Sequence, residues 1–145
     1  MSPIEDYPNT TAVVEALQKK KVTADQLAGT VKLPSLSSCL NTMMGRRGLS
    51  VEVTAGMADI NRSTLHKIMT YKVNPSRNVL LRLALALEMN FDETQILLKS
   101  GSCAALSGSR ERDLFIIEGI TNKRTYDEVN DNLNRYGFPD LYSKG

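Results

Sequence analysis

The amino-acid sequence predicts an all-α protein, and three observations carry this prediction. Apolar residues recur three or four positions apart along most of the chain, which is the spacing of one buried helix face. No stretch alternates apolar and polar residues in the manner of a half-buried strand. The 145 residues are 41% apolar and 23% charged, which is typical of a globular domain and excludes a wholly disordered chain.

Spacing and turn residues together divide the chain into about nine short helices. Two are expected in an N-terminal arm at about residues 11–20 and 23–31, five between residues 35 and 100, and two after residue 110. Ser50 and Asn61 are expected to cap the helices that begin at residues 51 and 62, and Asp92 with Gln95 to form a capping box. A further capping box at Thr125–Glu128 starts the last helix.

The predicted organisation has three parts. Residues 1–34 form a helical arm, residues 35–100 a five-helix domain, and residues 101–145 a C-terminal helical pair that follows a small, uncharged linker at 101–109. Residues 35–91 carry seven basic and three acidic side chains, a net charge of +4, whereas residues 92–145 carry seven and nine, a net charge of −2. A basic centre with a mildly acidic tail is typical of a small nucleic-acid reader that has a separate partner surface.

Several classes of protein are excluded by what the sequence lacks. The longest apolar runs have four or five residues, whereas a membrane span needs about 20, so we expect no membrane association. Cys39 and Cys103 lie 64 positions apart and His66 is the only histidine, so we expect no metal site and no cofactor. No phosphate-binding loop or catalytic motif is present, and we expect no enzyme.

Residues 49–71 have the layout of a helix-turn-helix. Ala55 supplies the small residue that two closely crossing helices need, and Asp59 stands where the turn requires left-handed backbone angles. Ile60 is expected to fill the space between the helices, and Leu65 and Ile68 to anchor the second one. A similar pattern at residues 23–29 fails, because its continuation puts polar residues at the anchor positions.

These residues resemble the phage-repressor-like helix-turn-helix family, the Cro/C1 or XRE type, over about residues 36–100. Residues 47–50 (Arg-Gly-Leu-Ser) are similar to the family's entry into its second helix, and residues 60–65 (Ile-Asn-Arg-Ser-Thr-Leu) to its recognition core. Residues 74–87 are similar to its fourth-helix signature. The tail looks like that of stand-alone members that have a short helical C-terminal extension.

The resemblance implies a repressor that binds double-stranded DNA as a homodimer in the cytoplasm of a prokaryote, or as a phage-encoded protein, associated with the nucleoid when bound. Arg62, Ser63 and Lys67 align with the positions that read base edges in the major groove. Phosphate contacts are implied for a larger set: Arg46, Arg47, Asn61, Thr64, His66, Tyr71, Lys72 and Arg77. Four or five neutralised phosphates would make log affinity fall with log salt at a slope of about −4 per protomer.

Two departures from the family pattern stand out. Val51 replaces a glutamine that often contacts a phosphate, so one positioning contact is missing. Met44 and Met69 occupy the positions of an Arg–Glu pair found in many members. Because both partners are replaced together, no unpaired buried charge is left behind.

The C-terminal segment supports a rival hypothesis. The apolar run at residues 114–117 is wider than one helical stripe requires, which indicates either packing within the chain or a dimer or partner surface. The residues expected on such a surface are Leu114, Phe115, Ile117, Tyr136 and Phe138. The protein could therefore be an adaptor or antitoxin-like module that holds a partner protein through residues 101–145. Binding of RNA or single-stranded DNA is a third, weaker reading, since aromatic residues make up only 6% of the chain and form no stacking cluster.

Burial of individual side chains is predicted from the same helical spacing. Leu114, Ile117 and Ile120 are expected to face inward from one C-terminal helix, and Val129, Leu133 and Tyr136 from the other. The methionines at positions 43, 44, 57, 69 and 89 are expected in or near the core. Cys39 is expected in the core and Cys103 in an exposed loop.

Overall fold

The computed structural model describes residues 33–142, and its described residues from Ser35 onward form one compact unit. The two helices expected in the N-terminal arm lie outside the described residues. Within residues 33–142 the chain forms helices and turns with no strand, so the all-α prediction is confirmed for this part.

Seven helices make up the described unit. They are α1 (Leu36–Arg47), α2 (Val51–Met57), α3 (Arg62–Met69), α4 (Arg77–Ala86), α5 (Phe91–Ser100), α6 (Glu111–Thr121) and α7 (Tyr126–Arg135). Each lies where the apolar spacing predicts a helix. No helix in the described range is long and apolar enough to cross a membrane.

Side-chain caps begin most of these helices. The hydroxyls of Ser35, Ser50 and Ser76 each accept a hydrogen bond from the backbone N–H three residues later, which satisfies a donor that the helix itself leaves free. The capping box expected at Thr125 and Glu128 is present.

Two cap predictions are wrong. α5 begins two residues earlier than expected, because Asn90 and Glu93 form its capping box in place of Asp92 and Gln95. Asn61 does occupy the N-cap position of α3, but its side chain makes no capping hydrogen bond.

All seven helices end in the same kind of turn, in which a residue with positive φ follows the last helical turn and the N–H of the next residue bonds to the carbonyl five residues earlier. Glycine supplies this conformation after α1 and α7, at Gly48 and Gly137. The other five helices use residues with side chains: Asp59, Tyr71, Glu88, Ser102 and Lys123. The expected left-handed turn at Asp59 is therefore present, with φ 56° and an Ile60 N–H to Ala55 carbonyl distance of 2.9 Å.

α4 is the central helix of the core. Eight of its ten residues are buried, and it packs against α2, α5, α6 and α7. A single apolar cluster runs from Leu40 of α1 through Leu65 of α3 to Leu133 of α7. The core under the first five helices and the core under the last two are thus continuous.

The segment between α5 and α6, predicted as a linker, is irregular but firmly packed. Leu106 is buried, and the Gln95 side chain both donates to its carbonyl and accepts from its N–H, at 3.0 and 2.8 Å. Arg77 donates to the Ala104 and Ala105 carbonyls of the same segment. These bonds hold the segment against α4 and α5.

Residues 138–142, here called the C-terminal strap, close the fold. Arg112 donates to the Pro139 and Asp140 carbonyls at 2.7 and 2.9 Å. The Leu141 side chain is fully buried, and its N–H donates to the Asn130 amide oxygen at 2.8 Å.

Several burial predictions are wrong, each because a helix presents a different face to the core. Ile116 and Gly119 of α6 face inward, which leaves Leu114 half-exposed. Tyr136 follows the end of α7 and is 60% exposed. Thr54 and Ala55 form the inner face of α2, so Met57 is exposed.

The prediction for Cys39 is confirmed, whereas the prediction for Cys103 is not. Cys39 lies in the core. Cys103 is partly buried, with Sγ 3.5 Å from the Gly101 carbonyl oxygen, and is not an exposed loop thiol.

Candidate functional site

The exposed face of α3 is the first candidate site. Leu65 and Ile68 are buried, and they fix the helix on the core by one side. The opposite side therefore turns outward and carries Arg62, Ser63, His66 and Lys67, all exposed. The sequence predicted this division of the helix from spacing alone.

The turn before α3 sets its direction. Ala55 is 1% exposed and Ala58 fully buried, so α2 and α3 approach closely, and Ile60 packs partly buried against the core. The left-handed Asp59 reverses the chain between them. These features hold α3 in a defined orientation on the surface, next to α2.

The cations of this face have no ion-pair partner in the described part of the chain. Within residues 33–142 no carboxylate lies within ion-pair distance of Arg62, Lys67 or Lys72. α3 itself contains no acidic residue. An exposed face with unpaired cations can take an anionic partner without first breaking ion pairs.

Four other side chains assigned to phosphates surround this face. Asn61 is exposed and its amide is not used as a cap, and Lys72 is exposed just beyond the helix. Tyr71 is 65% exposed and sits in the left-handed turn that ends α3. Thr64, by contrast, is partly buried.

Three other residues that were predicted to contact phosphates form ion pairs with carboxylates of the protein instead. Arg77 makes a two-pronged ion pair with Asp113, at 3.1 and 2.9 Å, and its side chain is 16% exposed. Arg46 pairs with Glu93 at 2.7 Å. Arg47 pairs with Glu88 at 3.2 Å and donates to the Ala86 carbonyl. Arg77 in particular joins α4 to α6 through this ion pair, so its guanidinium is not free to contact a phosphate.

A second candidate surface lies on the C-terminal helices. Leu114, Phe115, Tyr136 and Phe138 line an open groove together with Glu111 and Glu118, here called the aromatic groove. The Phe115 ring lies 4.9 Å from that of Tyr136 and 5.5 Å from that of Phe138, measured between centroids. Four of the five residues predicted as a partner surface thus come together, while Ile117 packs against the core instead.

Sequence reasoning missed a contact between the C-terminal strap and the turn before α3. The Tyr142 hydroxyl donates a hydrogen bond to the Asp59 carboxylate, 83 positions earlier in the chain. This bond raises the pKa of the Tyr142 phenol. No local pattern could have revealed a contact across that distance.

Arg82 is a buried cation next to the Tyr142–Asp59 contact. It is 9% exposed, and its guanidinium carbon lies 5.9 Å from the Tyr126 ring centroid and 5.5 Å from that of Tyr142. Two aromatic faces can stabilise a buried cation that has no carboxylate partner among the described residues. The one sequence signal was an arginine within the apolar run of residues 79–87.

Metal binding and nucleophilic chemistry find no support among residues 33–142. This range contains no group of three histidine, cysteine or acidic side chains that could hold a metal ion. Burial, reinforced by the charge of Glu93, raises the pKa of the Cys39 thiol to about 11, which disfavours the reactive thiolate. Burial also raises the pKa of Cys103.

Comparisons with protein-family models, with curated proteins and with solved structures each found no match to this chain.

Proposed function

We propose that the protein is a sequence-specific, double-stranded-DNA-binding transcriptional repressor whose first five described helices form a repressor-like helix-turn-helix domain. The observation that carries the proposal is the outer face of α3. Its exposed residues include Arg62, Ser63 and Lys67, and no carboxylate of the described chain pairs with either cation.

The mechanism is insertion of α3 into the major groove. The groove of B-DNA is about 12 Å wide and admits one α-helix. Ser63 and Lys67 lie four positions apart on one side of the exposed face, and Arg62 precedes them at the start of α3, so all three can face base edges from one docked helix. Guanine offers its O6 and N7 atoms to such side chains, and Ser63 can bond to several bases.

Contacts to phosphates would fix the position of α3 along the DNA. Asn61, His66, Tyr71 and Lys72 surround the reading face and are exposed. Because Arg77 is held by Asp113, and Arg46 and Arg47 by glutamates, fewer cations are free than the sequence indicates. We therefore expect a salt slope shallower than about −4 per protomer.

A homodimer would read two half-sites. Recognition helices of such dimers lie one helical turn of DNA apart, about 34 Å, so a two-fold symmetric operator is expected. The half-site spacing in a footprint would report the dimer directly.

The test is binding of the full-length protein to genomic fragments, including its own upstream region, at two salt concentrations. Arg62→Ala/Lys67→Ala is compared with wild type. The matched control is Lys99→Ala/Lys123→Ala, which removes the same charge from exposed sites outside α3. Loss of a discrete site in the first variant alone supports the proposal, whereas no preferred fragment for wild type, or equal loss in both variants, contradicts it.

A second candidate function, a protein-interaction adaptor, is favoured by the aromatic groove. Leu114 and Tyr136 are 50% and 60% exposed there, which is unusual for large apolar side chains clustered on one surface. Deleting residues 101–145 cannot separate the two functions, because Leu106, Ile116 and Leu141 belong to the common core. Point variants of the groove and of α3 separate them cleanly.

A further inference from the structure

The aromatic groove combines apolar and acidic groups in a regular arrangement. Leu114 and Phe115 lie at its centre on α6, and Glu111 and Glu118 lie on the same helix three or four residues to either side. Tyr136 and Phe138 form the other wall, and the volume of this open groove is about 450 Å³. A groove of this kind suits a helix that lays an apolar stripe into it.

The carboxylates of Glu111 and Glu118 determine which charge a partner bound in the aromatic groove must carry. Glu111 and Glu118 are seven positions apart in α6, which is about 10.5 Å along the helix axis. Glu111 has no ion-pair partner within the described residues, and Glu118 shares Arg124 with Glu128, at 3.1 Å and 3.8 Å respectively. Both charged side chains that line the groove are acidic, and such a lining attracts cations.

A second copy of this chain does not satisfy that pattern. In a two-fold contact centred on Leu114 and Phe115, Glu111 would meet the copy's Glu118 if the helices run antiparallel, and its own equivalent if they run parallel. Carboxylate faces carboxylate in both cases. Moreover, no two basic residues anywhere in the sequence are seven positions apart, so no helix of a copy can pair with both glutamates by this spacing.

We propose that the aromatic groove binds a cationic amphipathic helix of another protein. That helix carries Lys or Arg at positions i and i+7, which pair with Glu111 and Glu118. Apolar residues at i+3 and i+4 pack on Leu114, Phe115, Tyr136 and Phe138. The inference rests on the groove and specifies the partner of the adaptor function; it does not depend on DNA reading by α3.

The test uses a helical peptide with Lys at positions i and i+7 and Leu at i+3 and i+4, titrated into the full-length protein by calorimetry. An isomer of the same composition, with both lysines on the opposite helix face, is the control peptide. Two exposed ion pairs make the matched peptide bind about tenfold more tightly than the isomer. Glu111→Gln/Glu118→Gln removes this difference, whereas Asp127→Asn/Asp131→Asn, which changes two exposed acids outside the groove, preserves it.

Equal affinity for the two peptides overturns the proposal. So does a wild-type dimer in sedimentation equilibrium that Leu114→Asp converts to monomer, because the groove would then hold a second copy. Neither result affects the DNA-binding proposal, which the α3 variants test. Conversely, loss of DNA binding in the α3 variants leaves the peptide result unchanged.

Discussion

Arg77 and Asp59 illustrate what one side chain's position in the sequence can and cannot reveal. The left-handed turn at Asp59 was predictable, because it depends only on the neighbouring helix end. The partner of Arg77 was not, since Asp113 lies 36 positions later and is brought close only by packing of α6 on α4. A basic residue near a reading helix is therefore a phosphate candidate only until its acidic partners are known.

Asp113 should stabilise the fold in a pH-dependent way. Burial alone raises its pKa, but hydrogen bonds from Arg77 and the Ser107 N–H, with the charge of Arg77, outweigh burial and lower the pKa below the ordinary 3.8. Its stabilisation is therefore present above pH 3.8 and is lost as pH falls through the folded-state pKa. Asp113→Asn should lower the free energy of unfolding by about 2–4 kcal/mol at pH 7.

Urea denaturation across pH measures this effect. The difference between wild type and Asp113→Asn should shrink in acid, below the ordinary pKa. The exposed Asp131→Asn is the control and should change stability by less than about 0.5 kcal/mol. A difference that is constant with pH would show that Asp113 acts by shape and not by charge.

The two thiols should react at very different rates. Cys39 is in the core with a pKa raised to about 11, whereas Cys103 is only partly buried. At pH 8 an aromatic disulfide reagent should modify one thiol per chain in the native state and the second only on unfolding. Cys103→Ser should abolish the fast reaction; if Cys39→Ser abolishes it instead, the burial of Cys39 is wrong.

The position of each helix in the sequence is easier to predict than the face that it buries. Helical spacing located α6 and α7, and the Thr125 capping box located the start of α7. The inner face of α6 was misassigned because residues 114–117 are all apolar, so spacing allows more than one face. Contact with α4 and α7 selects Ile116 and Gly119 for the inside.

Gly119 lies where α6 packs tightly against Val129 of α7. A Cβ atom there would collide with Cγ2 of Val129, a branched side chain with little room to move. Gly119→Ala should therefore destabilise the protein by about 1–3 kcal/mol, although alanine favours helix by about 1 kcal/mol.

Thermal unfolding followed by circular dichroism would measure this. Gly45→Ala in α1, where a Cβ meets open space, is the control and should raise the melting temperature. Adding Val129→Ala to Gly119→Ala should cost less than the sum of the two single changes. Strict additivity would mean that the two residues do not touch.

At the scale of the whole described unit, packing joins parts of the chain that composition separates. The small, uncharged residues 101–109 have the composition of a linker, yet Leu106 is buried and Gln95 and Arg77 bind the backbone around it. The C-terminal helices and strap then complete the core around α4. Composition cannot reveal such packing, because the contacts come from residues far away in the chain.

The C-terminal strap should consequently contribute to global stability. Leu141, four residues from the end of the sequence, is fully buried. Leu141→Ala should lower the free energy of unfolding by about 2–5 kcal/mol. Leu114→Ala makes the same chemical change at a half-exposed site, and an equal cost at both positions would contradict the packing of the strap.

Dimethyl sulfate footprinting of the bound operator is the sharpest test of our proposal that α3 reads DNA from the major groove. This reagent methylates guanine N7 in the major groove and adenine N3 in the minor groove. We expect protection of guanine N7 in each half-site, with Arg62→Ala losing protection at a defined guanine. Protection of adenine N3 alone, or a wild-type pattern in Arg62→Ala/Lys67→Ala, would contradict it.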